Sequence, residues 1–233
     1  MSLYPVSLNI GHRPCLVVGG GAVALRKIRV LLTAGAEIQI VSPNLLPQLE
    51  HLVVEKGLVW RRRPYREGDM DGAFLVFAAT NDQKIQQDIA EEAKKKGILL
   101  NRADAPDDCD FQVPASFRRG PLLIAVSTGG ASPAVAKKLC RQLEGQVGAE
   151  FELVAYLMGK IRERVIALSN DSELSGRIFK DLVQRDILAL VRDREWSALE
   201  DLLSETLPQG EQWEQVVREL RLKMIEGLSS PVK

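Results

Sequence analysis

The 233-residue chain has only two histidines, His12 and His51, which rules out a metal centre built on several imidazoles. Its three cysteines, Cys15, Cys109 and Cys140, are odd in number and include no Cys-x-x-Cys pair. That pattern fits reduced thiols rather than a disulfide framework. No apolar run approaches the roughly 20 residues of a membrane span, so no membrane partner is expected. Met1 to Ile10 lacks a basic segment followed by a long apolar stretch and a cleavage site, and the expected compartment is the cytoplasm. Net charge is absent too: 31 basic and 31 acidic side chains cancel, so nothing draws the whole molecule to nucleic acid. Against these absences, 45% hydrophobic and 27% charged residues describe a globular chain able to bury a core domain and a smaller appendage.

From Pro14 to Ala103, short apolar runs alternate with helical patterns. Cys15–Val18, Glu37–Val41, Leu58–Trp60, Phe74–Ala78 and Ile98–Leu100 are predicted strands, and the alternation implies a parallel sheet with helices on its faces. The first helix is expected to run from Ala22 to a left-handed cap at Gly35, on the apolar repeat of Ala24, Ile28 and Leu31. Arg26, Lys27 and Arg29 fall largely off that stripe. Asn81 precedes a polar helical stretch, Asp82 to Lys96, which Gly97 closes. Farther on, Phe111–Pro114 and Pro121–Thr128 look extended, and Ser132-Pro133 opens a helix. From Glu150 the pattern is almost wholly helical, with apolar faces at Leu153/Leu157/Ile161 and Ile178/Leu182. The predicted fold is α/β: a Rossmann-type parallel sheet over residues 1–113, a small α+β segment over 114–149 and a helical C-terminal domain over 150–233.

Gly19-x-Gly21-x-x-Ala24 stands directly after a predicted strand and at the start of a helix. Gly19 permits the tight turn, Gly21 lets the backbone approach a pyrophosphate, and small Ala24 lets helix and strand pack. The helix start adds free amides and a partial positive charge. NAD sites commonly carry Asp or Glu about 20 residues beyond the glycines, to hold the ribose hydroxyls. Here that place reads Val41-Ser42-Pro43-Asn44, so Ser42, Asn44 or backbone groups must take the adenosine ribose, and both NAD and NADP stay open. Arg61-Arg62-Arg63 is either a 2′-phosphate site or a solvated face, the second being commoner for a charge run after an edge strand.

The ordered set Val17-Val-Gly-Gly-Gly-Ala-Val-Ala with Arg26-Lys27, Phe77-Ala-Ala-Thr80-Asn81-Asp82, Asn101-Arg-Ala-Asp104 and Ser127-Thr-Gly-Gly-Ala-Ser-Pro133 resembles the precorrin-2 dehydrogenase/sirohydrochlorin ferrochelatase family. More narrowly, it resembles the dehydrogenase/chelatase module of sirohaem synthase, over about residues 1 to 150. The resemblance implies NAD-dependent oxidation of precorrin-2 to sirohydrochlorin. In bifunctional members it also implies insertion of ferrous iron, a substrate, to give sirohaem. It implies a homodimer that exchanges contacts through the middle segment, and a cofactor site lined by Ala22, Val23, Pro43, Asn44 and the Thr80 loop.

Asp104 lies just beyond the fifth predicted strand, at the carboxyl edge where open parallel sheets place their ligands. By position alone it is a turn aspartate before Pro106; the resemblance makes it the catalytic residue of both reactions, a carboxylate able to relay protons. A polycarboxylate substrate also gives meaning to Thr128-Gly129-Gly130 and to the helix capped by Ser132. Their amides and dipole suit anions, and Arg118 or Arg119 could add bidentate contacts. The residues alone equally describe a tight turn with two solvated arginines. The competing function is a dinucleotide-sensing regulatory module without catalysis, for which a second anion site has no purpose.

Overall fold

The computed structural model describes residues 3–103, 105, 108–168, 172–207 and 213–229. Its chain divides into two compact units, Met1–Val113 and Pro114–Lys233.

The first unit alternates strand and helix: β1 (Pro14–Val18), α1 (Ala22–Thr33), β2 (Glu37–Val41), α2 (Pro47–Lys56), β3 (Val59–Arg61), β4 (Leu75–Ala78), α3 (Gln83–Lys96) and β5 (Leu99–Arg102). The five strands form one parallel sheet in the order β3-β2-β1-β4-β5, the doubly wound arrangement. Successive side chains of a strand point to opposite faces, so β1 serves two cores. Cys15 and Val17 join Ala24, Ile28, Ile38 and Phe77 under α1, while Leu16 and Val18 join Val76, Ile89, Ala93 and Leu100 under α3. The chain order reverses between β1 and β4, which opens the crevice where such sheets take ligands.

Local chemistry sets the helix ends. Gly97 adopts the left-handed conformation at φ +66° and closes α3, as expected. At the other end the cap is Asp82, not Asn81: its carboxylate accepts from the amides of Lys84 and Ile85. An ionised carboxylate is the stronger acceptor for a helix start, which moves the boundary by one residue. Two strands also shift. β3 ends at Arg61, where the Ser42 amide donates to the Arg61 carbonyl, and β5 extends to Arg102, pairing with Ala78.

The long connection from β3 to β4 is tied down by charge. Asp69, buried, accepts from Arg61, Arg63 and the Arg66 amide. Burial alone would push this carboxyl up; those three donors outweigh it and hold it below the usual carboxylate range. Glu92 on α3 is also buried and accepts from the Tyr65 hydroxyl at 2.6 Å, the Gly68 amide at 2.9 Å and Lys96 at 2.6 Å, while Lys96 also reaches Asp71.

The second unit opens with an antiparallel hairpin, β6 (Ala115–Arg119) and β7 (Leu122–Val126), turning at Gly120 with φ +53°. The stretch Phe111–Pro114, expected to be extended, pairs with no strand; Phe111 lies in the first unit, edge-on to the Phe77 ring at 5.4 Å between centroids. The first hairpin strand therefore starts at Ala115. Helices follow: α4 (Pro133–Gln146), α5 (Ala149–Leu168), α6 (Ser172–Gln184), α7 (Ile187–Asp193), α8 (Trp196–Thr206) and α9 (Trp213–Ser229). Leu153, Leu157, Ile161 and Val165 run down one side of α5 at four-residue spacing. They meet Leu182, Val191, Leu199, Leu203, Val216 and Leu220 in a separate apolar core.

Candidate functional site

The turn between β1 and α1 is bare backbone. Gly19 adopts φ +125°, and a Cβ there would come within 2.2 Å of the Ala79 carbonyl oxygen, so only glycine fits. Gly20 is restricted by space instead: its Cβ would fall 2.0 Å from the Asn44 carbonyl oxygen. Gly21 is the opposite case, with nothing within 4 Å of the position its Cβ would take. It is the N-cap of α1, has no side chain to offer, and the first turn of that helix holds no acidic residue. The first intrahelical bond runs from the Leu25 amide to the Gly21 carbonyl, so the amides of Ala22, Val23 and Ala24 precede the helical ladder. A diphosphate fits this end: it needs close backbone approach, free donors and a positive dipole, and all three converge beside Gly21. Ala24, fully buried, packs the helix against the sheet.

The loop after β2 forms the neighbouring wall. Its shape depends on Ser42, which is buried and donates its hydroxyl to the Asn44 carbonyl at 2.6 Å. The Ser42 carbonyl accepts from the Trp60 indole at 2.9 Å, and the Leu46 amide donates to the Gly20 carbonyl at 2.9 Å. Ser42 is thus a brace within the loop, and Pro43, Asn44 and Leu46 are its exposed residues. The arginine run is partly solvated, with Arg62 exposed. Arg61 and Arg63 are bound to Asp69, and the Arg62 guanidinium lies 5.3 Å from the Trp60 ring centre.

On the far side of the switch point the Thr80 loop follows β4. Its position rests on a residue the sequence reading passed over. Gln86, almost fully buried on α3, donates Nε2 to the Thr80 carbonyl at 2.8 Å, while the Ala79 amide bonds Val18 at 2.7 Å. A glutamine in a polar helical stretch carries no periodic signal; only its burial distinguishes it.

Asp104 lies outside the described residues. The chain on either side is anchored: the Ala103 amide donates to Ala78 at 3.0 Å, and the Cys109 sulfur accepts from the Arg102 amide at 3.1 Å. Asn101, buried on β5, donates Nδ2 to the Phe111 carbonyl at 2.9 Å, and Asp110 exchanges bonds with Leu100. The returning segment therefore runs beside β5 as an extra edge.

In the second unit, the expected anion loop turns through Gly129 at φ +61° and Gly130 at φ +89°. Much of its hydrogen bonding is internal. The Gly129 amide donates to the Ser127 hydroxyl at 3.1 Å, the Ala131 amide to the Thr128 carbonyl at 3.1 Å and the Ser132 amide to Thr128 Oγ1 at 3.0 Å. Ser132 caps α4 through the Val135 amide, as its sequence suggests. Arg118 is exposed, and Arg119 turns to Glu144 at 3.5 Å and to the Phe117 ring.

Comparison with known proteins is consistent with this geometry. Residues 6–115 match the family model for NAD(P)-binding domains, and residues 119–146 match the sirohaem biosynthesis protein central model. The sirohaem synthase of Thioalkalivibrio sulfidiphilus is 34% identical over 210 residues, covering 90% of this chain and 43% of the relative. That of Pseudomonas aeruginosa is 36% identical over 210 residues, covering 90% and 45%. The chain thus carries an NAD(P)-binding domain followed by a sirohaem-biosynthesis central segment, and over most of its length it is similar to sirohaem synthases. It spans under half the length of these curated relatives. A solved structure, SirC, a precorrin-2 dehydrogenase, superposes with a TM-score of 0.65 at 28% identity, covering 82% of this chain and all of SirC. The two matched segments contain the glycine turn and the 127–133 loop respectively. Among the described residues no helix is long and apolar enough to cross a membrane.

Proposed function

We propose that the protein oxidises precorrin-2 to sirohydrochlorin with NAD as the acceptor, in sirohaem biosynthesis. The observation that carries this reading is the uncapped start of α1, open at Gly21, in a chain that covers the full length of a precorrin-2 dehydrogenase. Ala22 and Val23 offer amides to the diphosphate, Pro43 and Asn44 border the adenosine ribose, and the Thr80 loop borders the nicotinamide end. Ser42 contributes by bracing the ribose loop. Bound there, NAD supplies a two-electron acceptor for the macrocycle. The chain's own work is to orient the macrocycle and exclude competing reactions, with Asp104 taking the proton that must leave as the ring is oxidised. NAD is the acceptor proposed first: Arg61 and Arg63 spend donors on the one carboxylate of Asp69, which leaves fewer of them for a 2′-phosphate.

The polycarboxylate is bound with help from Thr128, Gly129, Gly130 and Ser132, and Arg118 adds an exposed cation. Insertion of ferrous iron, taken as substrate, belongs to the same proposal, as do a homodimer and a cytoplasmic location; three free cysteines suit a reducing compartment. The test incubates purified protein with precorrin-2 and either NAD or NADP, follows sirohydrochlorin by its absorbance, then adds ferrous iron. Turnover with NAD is expected. Dinucleotide binding with no turnover would instead identify a sensing module.

A further inference from the structure

Lys27 lies off the buried stripe of α1 yet is not fully solvated. Its side chain is half-buried, with the ammonium 5.5 Å from the centre of the Phe77 ring. Burial, with neighbouring Arg26 adding to it, lowers its proton affinity below that of an ordinary lysine. It lies close enough to Cys109 for each to perturb the other electrostatically. Among the described residues it has no carboxylate partner: Phe77 is a ring face, and the Cys109 thiol is pushed upward by burial and so held neutral. An ammonium drawn out of water without a counter-charge is costly, and a lysine stem could carry it back to solvent from an exposed helix face. Here the ammonium lies over the Phe77 ring instead.

Its location narrows the missing counter-ion. Lys27 lies six residues after Gly21, about 9 Å down the helix axis from the diphosphate end. It points toward β4 and β5 rather than toward β2, as its neighbours Phe77 and Cys109 show. The diphosphate already has the amides of Ala22 to Ala24. The nearby unserved anion is the second reactant's, at the edge of the sheet where the segment carrying Asp104 begins.

We propose that Lys27 is a substrate-binding residue, pairing one peripheral carboxylate of the tetrapyrrole and orienting the ring against the nicotinamide. This rests on the function proposed above and adds a residue to it. The cation–π contact fixes the ammonium before substrate arrives, so little side-chain freedom is lost on binding.

The test compares wild type with Lys27→Met, which keeps the stem over Phe77, and Lys27→Arg, which keeps the charge. Sirohydrochlorin affinity is read by fluorescence and NAD affinity by calorimetry, with thermal melting as the check on folding. Lys27→Met is expected to bind sirohydrochlorin about ten-fold more weakly, the value of one charge-assisted contact, with NAD affinity unchanged. Lys27→Arg should stay within about three-fold of wild type, since it restores the same charge-assisted contact. Equal sirohydrochlorin affinity in wild type and Lys27→Met overturns the assignment, as does a parallel loss of NAD affinity, which would place Lys27 at the dinucleotide. A wild-type protein that binds NAD but neither binds sirohydrochlorin nor converts precorrin-2 overturns the proposed function itself, and Lys27's part in it.

Discussion

Gln86 holds the Thr80 carbonyl at 2.8 Å from beneath the sheet edge, while its own Oε1 is buried without a hydrogen-bond donor among the described residues. The two halves of one amide therefore act in opposite directions. Nε2 positions the loop after β4, and Oε1 costs free energy where it sits.

Gln86→Leu should accordingly change global stability little, within about 1 kcal/mol, because a lost donor and a removed unsatisfied acceptor offset each other. NAD affinity should fall several-fold as the Thr80 loop loosens. Urea unfolding and calorimetry on the same variant check both; a large stability loss with unchanged affinity would show that Gln86 serves the core instead.

Neighbouring glycines should respond in opposite ways. Gly20→Ala forces a Cβ to within 2.0 Å of the Asn44 carbonyl and should cost about 1–3 kcal/mol of stability through displacement of the 42–46 loop. Gly21→Asp meets no atom within 4 Å and places a capping carboxylate at the start of α1, so its melting temperature should hold or rise slightly. Its NAD affinity should collapse, because the new charge occupies the diphosphate position. Paired thermal melts with and without NAD distinguish the two.

The Tyr65–Glu92 pair predicts loss of stability at both pH extremes. Burial, then the bond to Glu92, raises the Tyr65 phenol, so its contribution is complete below the ordinary tyrosine value near 10 and declines above it. For Glu92, burial acts upward but is outweighed by Lys96, Tyr65 and the Gly68 amide, leaving the carboxyl lowered. Its contribution is present above roughly pH 4.3 and is lost as acid protonates it. Tyr65→Phe should flatten the alkaline limb of a stability–pH curve measured by denaturant unfolding. An unchanged slope between about pH 10 and 11 would exclude Tyr65 as its source.

Asp104→Asn should keep NAD affinity and lose precorrin-2 oxidation, iron insertion or both. Steady-state turnover beside dinucleotide binding decides it; undiminished turnover removes Asp104 from the mechanism.

Much of the first unit was legible because β1 and β4 are apolar runs, β2 carries buried Ile38, Ile40 and Val41, and Gly19-x-Gly21 sits where a strand hands over to a helix. Gly20 was not singled out, since its constraint comes from Asn44, 24 residues away in sequence, and no local pattern records that approach. Lys27 does lie off the buried stripe of α1, but its contact with the Phe77 ring was not legible for a related reason. Helical periodicity assigns a face, but the segment at 109–111 that covers part of that face returns from beyond β5. Ser42 carried the right chemistry for a ribose contact, yet its hydroxyl serves its own loop. The Gly129–Gly130 turn was legible as a turn; that its flanking amides bond to Ser127 and Thr128 depends on rotamers no sequence displays.

The bond from Leu46 to Gly20, together with the close approach of Asn44, makes the two lips of the dinucleotide groove a single piece. That backbone has little freedom to move, whereas the side chains of Pro43 and Asn44 are exposed and can be exchanged without disturbing it. On the proposed placement of the adenosine ribose against Asn44, replacing that residue with a cation should strengthen binding of the phosphorylated coenzyme relative to NAD, which calorimetry with both coenzymes checks.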